Sequence, residues 1–296
     1  MRKQKEKKKV SEILSGIATI LILLTGISLV LYPTVADKIN DAVNQQAIED
    51  YQGQLLTLDN SKYEKMLQAA QEYNDRLFRS DPYIGALTAE EEKEYESLLD
   101  LDGTGMMGYV EIPKSKIYLA IYHGTEEAVL QTGAGHLEAS SLPVPGESTH
   151  IVLSGHSGLP SARLFTDLDQ LEIGDTFTLH ILRETLTYQV DRMERVEPDE
   201  LKNLRIEEGQ ELCTLMTCTP YGINTHRLVV TGHRIETPVE APQENKPVIQ
   251  AVTSKWNRWF VFLPVILFAG IVFAVILIRK HKKKQPSAEH REEETR

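Results

Sequence analysis

The chain has 296 residues, 41% hydrophobic and 25% charged, a composition that excludes both a disordered chain and a polytopic membrane protein. Its net charge of −11 is unevenly spread, with basic ends around a strongly acidic middle segment, 37–254. A middle segment of that sign excludes nucleic acid as a partner.

In chain order, residues 1–12 form a short basic N-terminus carrying Arg2, Lys3, Lys5, Lys7, Lys8 and Lys9. Ile13–Leu31 then contains no charged residue and predicts a transmembrane helix over 13–32, since about twenty apolar residues at 1.5 Å rise cross a bilayer. A core helix would show a polar face, and this run has none. Trp259–Ile278 reads the same way, and the tail 279–296 opens with Arg279, Lys280, Lys282, Lys283 and Lys284. Basic flanks on the same side of two spans place both termini in the cytoplasm and the middle segment outside the cell membrane. A cleaved signal peptide ending at Thr34-Val-Ala36 is the alternative for the first run, though its apolar region is long for one.

Residues 37–104 read as helical, with a break near Leu58-Asp-Asn-Ser61 and an exposed loop over about 79–86, where Pro82 and Gly85 interrupt the pattern. Thr88 followed by Glu91 is a capping-box start for a further short helix. From 105 to 236 the texture is β: strands are predicted at Gly108–Ile112, Tyr118–Tyr122, His150–Ser154, Thr176–Ile181, Leu186–Val196, Glu211–Cys218 and His226–Ile235. Short helices are expected at Glu126–Gln131, Arg163–Leu171 and Asp199–Leu204. This is a barrel or sandwich pattern. The polar, proline-bearing stretch 237–258 is a linker to the second span.

Two cysteines occur, Cys213 and Cys218, in a compartment that permits disulfides. If Leu212–Cys218 is a strand, their Cα atoms lie about 16 Å apart, and a disulfide spans no more than about 7 Å. That reading excludes a bridge between them. The odd spacing also turns the two side chains to opposite faces, so one can be buried while the other opens onto a site. Thr219-Pro-Tyr-Gly222 ends the strand and leaves Cys218 at its edge. A small buried hydrophobe is the ordinary fate of a free cysteine; a nucleophilic one needs a base or cation beside it.

His156, in Gly155-His-Ser-Gly158 after an apolar strand, has the same strand-end position as Cys218. His123 and His136 also lie near strand ends or turns, so position alone leaves the choice open. His150 and His180 read as structural or solvated. Acyl transfer also requires donors where an oxyanion forms. Arg227 opens a return strand that would bring it back beside Cys218, and a guanidinium fork suits that role. A surface ion pair is the alternative.

The combination resembles the sortase family. Thr214-Leu-Met-Thr-Cys218 matches the pattern Thr-Leu-x-Thr-Cys, Leu153-Ser-Gly-His156 matches the histidine strand and turn, and His226-Arg-Leu-Val-Val230 matches the arginine strand. The resemblance runs from about Tyr109 to Ile235. It implies a mainly β fold, an eight-stranded sortase-type β-barrel with N-terminal helices and two flanking transmembrane helices, and a catalytic trio of Cys218, His156 and Arg227. Asp81-Pro82-Tyr83 resembles the lid of class C, pilus-assembling sortases, in which the Asp would pair with Arg227 and the aromatic would cover Cys218. Gly133–Glu138 with Ser141-Leu-Pro143 and the second span also resemble that class. The resemblance implies cleavage of a Leu-Pro-x-Thr-Gly-like signal between Thr and Gly, and transfer of the acyl group to a pilin lysine. The expected partners are pilins, surface proteins bearing such signals, and the membrane; no metal or other cofactor is implied. A housekeeping sortase, a membrane-anchored cysteine peptidase and a non-catalytic surface module are the competing readings.

Overall fold

The computed structural model describes residues 2–80, 87–198, 200 and 204–238. The expected lid residues Asp81, Pro82 and Tyr83, the expected span 259–278 and most of the expected helix Asp199–Leu204 lie outside them. Ile27–Pro238 forms one compact unit, and the part of α1 before Ile27 belongs to another.

Strand alternation builds the unit's core. In β5, Thr176–Ile181, the residues Phe177, Leu179 and Ile181 are fully buried while their neighbours are half-buried. The same period-two pattern sends Val110 and Ile112 of β1 (Met106–Ile112), Leu119 and Ile121 of β2 (Ile117–His123), and Ile151 and Leu153 of β4 (Thr149–Ser154) into one cluster with Cys213 and Leu215. Each such side chain contributes roughly 1.5–3 kcal/mol of burial. With β3 (Ala134–His136), β6 (Glu184–Val196), β7 (Glu211–Thr219) and β8 (His226–Ile235), the strands close a barrel in the order β1-β2-β3-β4-β7-β8-β6-β5. The β2–β3 and β4–β7 pairs are parallel and the others antiparallel. The eight-stranded, mainly β architecture is as expected. All seven strands read from the sequence are present, and β3 is the eighth.

Two helical expectations change. α4 forms at Glu127–Leu130, but Arg163–Leu171 yields only a 3-10 turn at Leu168–Gln170. Leu164 sits at φ 43°, in the left-handed region that interrupts a helix. The N-terminal helix α1 runs from Arg2 to Thr57 with Pro33 inside it, so the apolar run expected to end near Tyr32 continues as helix. A proline forfeits one helical hydrogen bond without ending this helix. Among the described residues, α1 supplies one segment long and apolar enough to cross a membrane.

Asparagine amides and a buried tyrosine hydroxyl dock the helices on the barrel. Asn44 of α1 donates from Nδ2 to Thr132 O (2.5 Å) and accepts from the Ala120 N–H (3.1 Å). Tyr51 Oη donates to Met107 O (2.8 Å) and accepts from the Leu182 N–H (2.7 Å). On α2 (Asn60–Ser80), buried Asn74 exchanges two bonds with the Leu142 peptide, 2.9 and 2.7 Å. Asn74→Ala strands both Leu142 groups away from water, so it is expected to cost about 2–3 kcal/mol. That loss should lower the thermal midpoint by roughly 5–10 °C in a unit of this size. α3, Ala89–Ser97, starts with the expected capping box, in which the Thr88 N–H donates to the Glu91 carboxylate at 2.8 Å.

Candidate active site

The parallel pairing of β4 with β7 sets the site. Val152 aligns with Thr214 and Ser154 with Met216. Two bonds carry that register past the end of β4: the Gly155 N–H donates to Met216 O (3.0 Å) and Thr217 Oγ1 donates to Gly155 O (2.6 Å). His156, two residues past Ser154, is thereby brought level with Cys218, two residues past Met216. On the other side of β7, Cys218 and Arg227 are direct partners in the antiparallel β7–β8 ladder.

Parity puts Cys218 and Arg227 on one face. Cys213 and Leu215 point into the barrel, fully buried. Thr214, Met216 and Cys218 therefore point outward, alongside Val152 from β4 and Val229 and Arg227 from β8, with His156 just past the end of β4. Val152, Met216 and Val229 pack there with Leu204, Leu137 and Val196, forming an apolar floor below the thiol. Cys218 is half-buried, and both cysteines are free. Burial pushes the Cys213 thiol well above the ordinary range, which leaves it inert as a thiolate source.

The His156 side chain is 23% exposed, with Nε2 3.2 Å from Glu127 Oε2. Its backbone is fixed, since its carbonyl accepts from the Phe165 N–H at 3.0 Å. The same Phe165 ring lies on Gly155, where an added Cβ would meet ring carbons at 2.6 and 2.8 Å. Phe165 is fully buried and has no room to retreat. Gly155→Ala should cost about 1–3 kcal/mol by overpacking, measured by chemical denaturation. Among the described residues, Arg227 hydrogen-bonds only the carbonyls of Asn224 (3.5 Å) and His226 (3.3 Å), both through Nη1.

The histidines that position alone left open now separate. His136 is fully buried between Tyr95 Oη (3.0 Å at Nδ1) and Ser141 O (2.8 Å at Nε2), and burial pushes it down to about 3. Both His123 nitrogens face backbone carbonyls, Gly105 O at 2.9 Å and Leu98 O at 2.8 Å. His150 is enclosed between Arg205 O and Thr214 Oγ1, 2.7 Å each. These three tie segments together and do not reach the Cys218 rim. The sequence reading missed Glu127. Its signal was Glu127 and Gln131 at i, i+4 in a short helix, which carries no hint of a partner 29 residues away.

A thiol, an imidazole and a guanidinium thus stand at the ends of three adjacent strands of a closed β-barrel, side chains of the kinds that cysteine acyl transfer uses. The Sortase domain family matches residues 110–235. The chain is 53% identical to sortase C1 from Streptococcus agalactiae, whose solved structure superposes with a TM-score of 0.63 over 65% of this chain and 99% of that one. A Streptococcus pneumoniae sortase C, described for catalysis and pilin substrate specificity, is 40% identical with a TM-score of 0.58, over 65% of this chain and 97% of that one. Sortase D of Bacillus subtilis is 31% identical over 131 residues, 43% of this chain. The alignments to this and other curated relatives span just under two thirds of those proteins, 63% for sortase D. The chain belongs to the sortase family, and the two streptococcal structures are of class C sortases.

Proposed function

We propose that the protein is a membrane-anchored cysteine transpeptidase that joins pilin subunits through a sortase mechanism. The observation that supports this most is the register of Cys218 against Arg227, with His156 level with them at the end of β4. The Cys218 thiolate attacks the Thr carbonyl of a Leu-Pro-x-Thr-Gly-like signal. A sulfur–carbon bond forms and Arg227 donates to the oxyanion. His156 gives its proton to the departing Gly amine as the Thr–Gly bond breaks. A lysine amine of another pilin then attacks the thioester, His156 takes the amine proton, and the thiolate leaves. One acyl bond is exchanged for another, so no energy source is consumed.

The pilin assignment draws on the class C neighbours, one of which is described for pilin substrate specificity. The anchor draws on the apolar part of α1. The basic residues before it, opposite an acidic body, favour a cytoplasmic N-terminus and an extracytoplasmic barrel. The test is to incubate the full-length chain in detergent with a sorting-signal peptide and measure the intact mass. A thioester on Cys218 that a lysine-bearing pilin peptide converts to an amide supports the reading. Release of free acid alone, with the amine present, assigns a peptidase instead.

A further inference from the structure

We infer that Glu127 is a positioning residue for His156: it holds Nε2 of the imidazole, so that Nδ1 is the nitrogen that gives and takes the proton. The inference rests on the acid-base role proposed for His156 above.

The carboxylate is gripped at both oxygens. Oε2 lies 3.2 Å from His156 Nε2, and Oε1 accepts from Gln131 Nε2 at 2.8 Å, one helical turn further on. α4 is itself held. The Gly133 N–H closes its last turn on Val129 O at 3.0 Å, and Thr132 O takes the 2.5 Å bond from Asn44 of α1. A chain of contacts thus runs from the N-terminal helix through α4 to the imidazole.

A neutral imidazole has one donor and one acceptor nitrogen, and the partner of one decides which is which. A carboxylate on Nε2 selects the Nε2–H tautomer and leaves Nδ1 to accept. It also favours the imidazolium needed to protonate a departing amine. The Gln131 amide, and then the His156 ring, hold the Glu127 carboxyl below its ordinary range, so it stays ionised at neutral pH.

Other charged groups near the ring do not duplicate this role. The Cys218 thiol approaches from β7, and Arg227 from β8 opposes the imidazolium. His226 beside it is taken by Glu197 at 3.2 Å. The Glu126 carboxylate is turned onto Gly124. On the loop after β4, the Arg163 guanidinium is taken by Asp167 and its N–H by Asp37 at 2.8 Å. Among the described residues, Glu127 is the carboxylate that His156 touches.

The experiment uses the full-length chain in detergent as wild type, Glu127→Gln and Glu127→Ala. One readout is transfer from a Leu-Pro-x-Thr-Gly peptide to lysine amide, with kcat and KM separated. The other is the His156 tautomer, read from the ring nitrogen shifts of labelled histidine. In the wild type the Nε2–H tautomer should dominate. Glu127→Ala should remove that preference and lower kcat about 3–10-fold with KM unchanged. Glu127→Gln, whose amide oxygen still accepts from Nε2–H, should keep the tautomer and more of the rate. An unchanged tautomer in a folded Glu127→Ala variant overturns the inference. If the wild type forms no thioester, the transpeptidase reading fails separately, and the ring nitrogen shifts still decide whether Glu127 governs the imidazole.

Discussion

Cys218→Ala is expected to abolish thioester formation, a loss on the order of 10³-fold or more when a nucleophile is removed, whereas Cys213→Ala should leave it intact. The two residues lie five apart on one strand, so the contrast depends on strand parity and on nothing in their chemistry. Cys213 is fully buried inside the barrel, with its thiol pushed well up by that burial. Removing it leaves a small void and costs about 1–2 kcal/mol in stability. A thiol reagent added to the native chain should modify Cys218 alone, with Cys213 labelled only after unfolding. Native labelling of Cys213, or an acyl adduct surviving in the Cys218→Ala variant, would place the nucleophile elsewhere.

The second large effect is acid lability. His136 is buried neutral and pushed down to about 3, far below the roughly 6.5 of an unfolded histidine. Between those values the unfolded chain binds a proton that the folded chain refuses. Stability is therefore intact above pH 6.5 and is lost as pH falls through that window. At one proton the limit is about 4 kcal/mol near pH 3. His150, lowered mainly by burial, acts in the same direction. Glu138 and Glu211, raised mainly by burial, act in the opposite one. Urea unfolding at pH 7.0, 5.5 and 4.0 should show the midpoint falling. His136→Gln, which keeps neutral polar groups in the cavity, should flatten that slope even where it lowers stability overall. An equal slope in wild type and variant would exclude His136 as the source.

Much of the site was legible because strand arithmetic is rigid. The even and odd positions of Leu212–Cys218 predicted that the two cysteines would face opposite sides of the sheet, and a short loop after Thr219 sufficed to return Arg227 to its partner. The capping box at Thr88 was legible because its two residues are three apart. β3 was not, because Gly133-Ala-Gly-His136 has too few side chains to show a period. Gly135 is required there because an added Cβ would strike the backbone around Gly124. The failed helix at Arg163–Leu171 has amphipathic spacing. Contacts outside the segment override it: the Phe165 N–H on His156 O and the Arg163 N–H on Asp37, 126 residues away. His136 and His123 resembled candidates because a strand end is equally suited to catalysis and to stapling segments, and their partners lie on α3 or in the loops around it and after β3.

The strand order has a consequence for the timing of biosynthesis. β7 and β8 are last in sequence, yet they lie between β4 and β6. A chain emerging N-terminus first can assemble the other six strands as an open, curled sheet. Its two free edges, β4 and β6, then wait for the final hairpin to wedge between them. Pairing β4 with β7 closes a gap of about sixty residues and belongs to the slow, non-local steps of folding. Until that hairpin seats, the imidazole is apart from the thiol and guanidinium that the hairpin carries, so a half-folded molecule has no assembled site. Reactivity and barrel closure arrive in the same event.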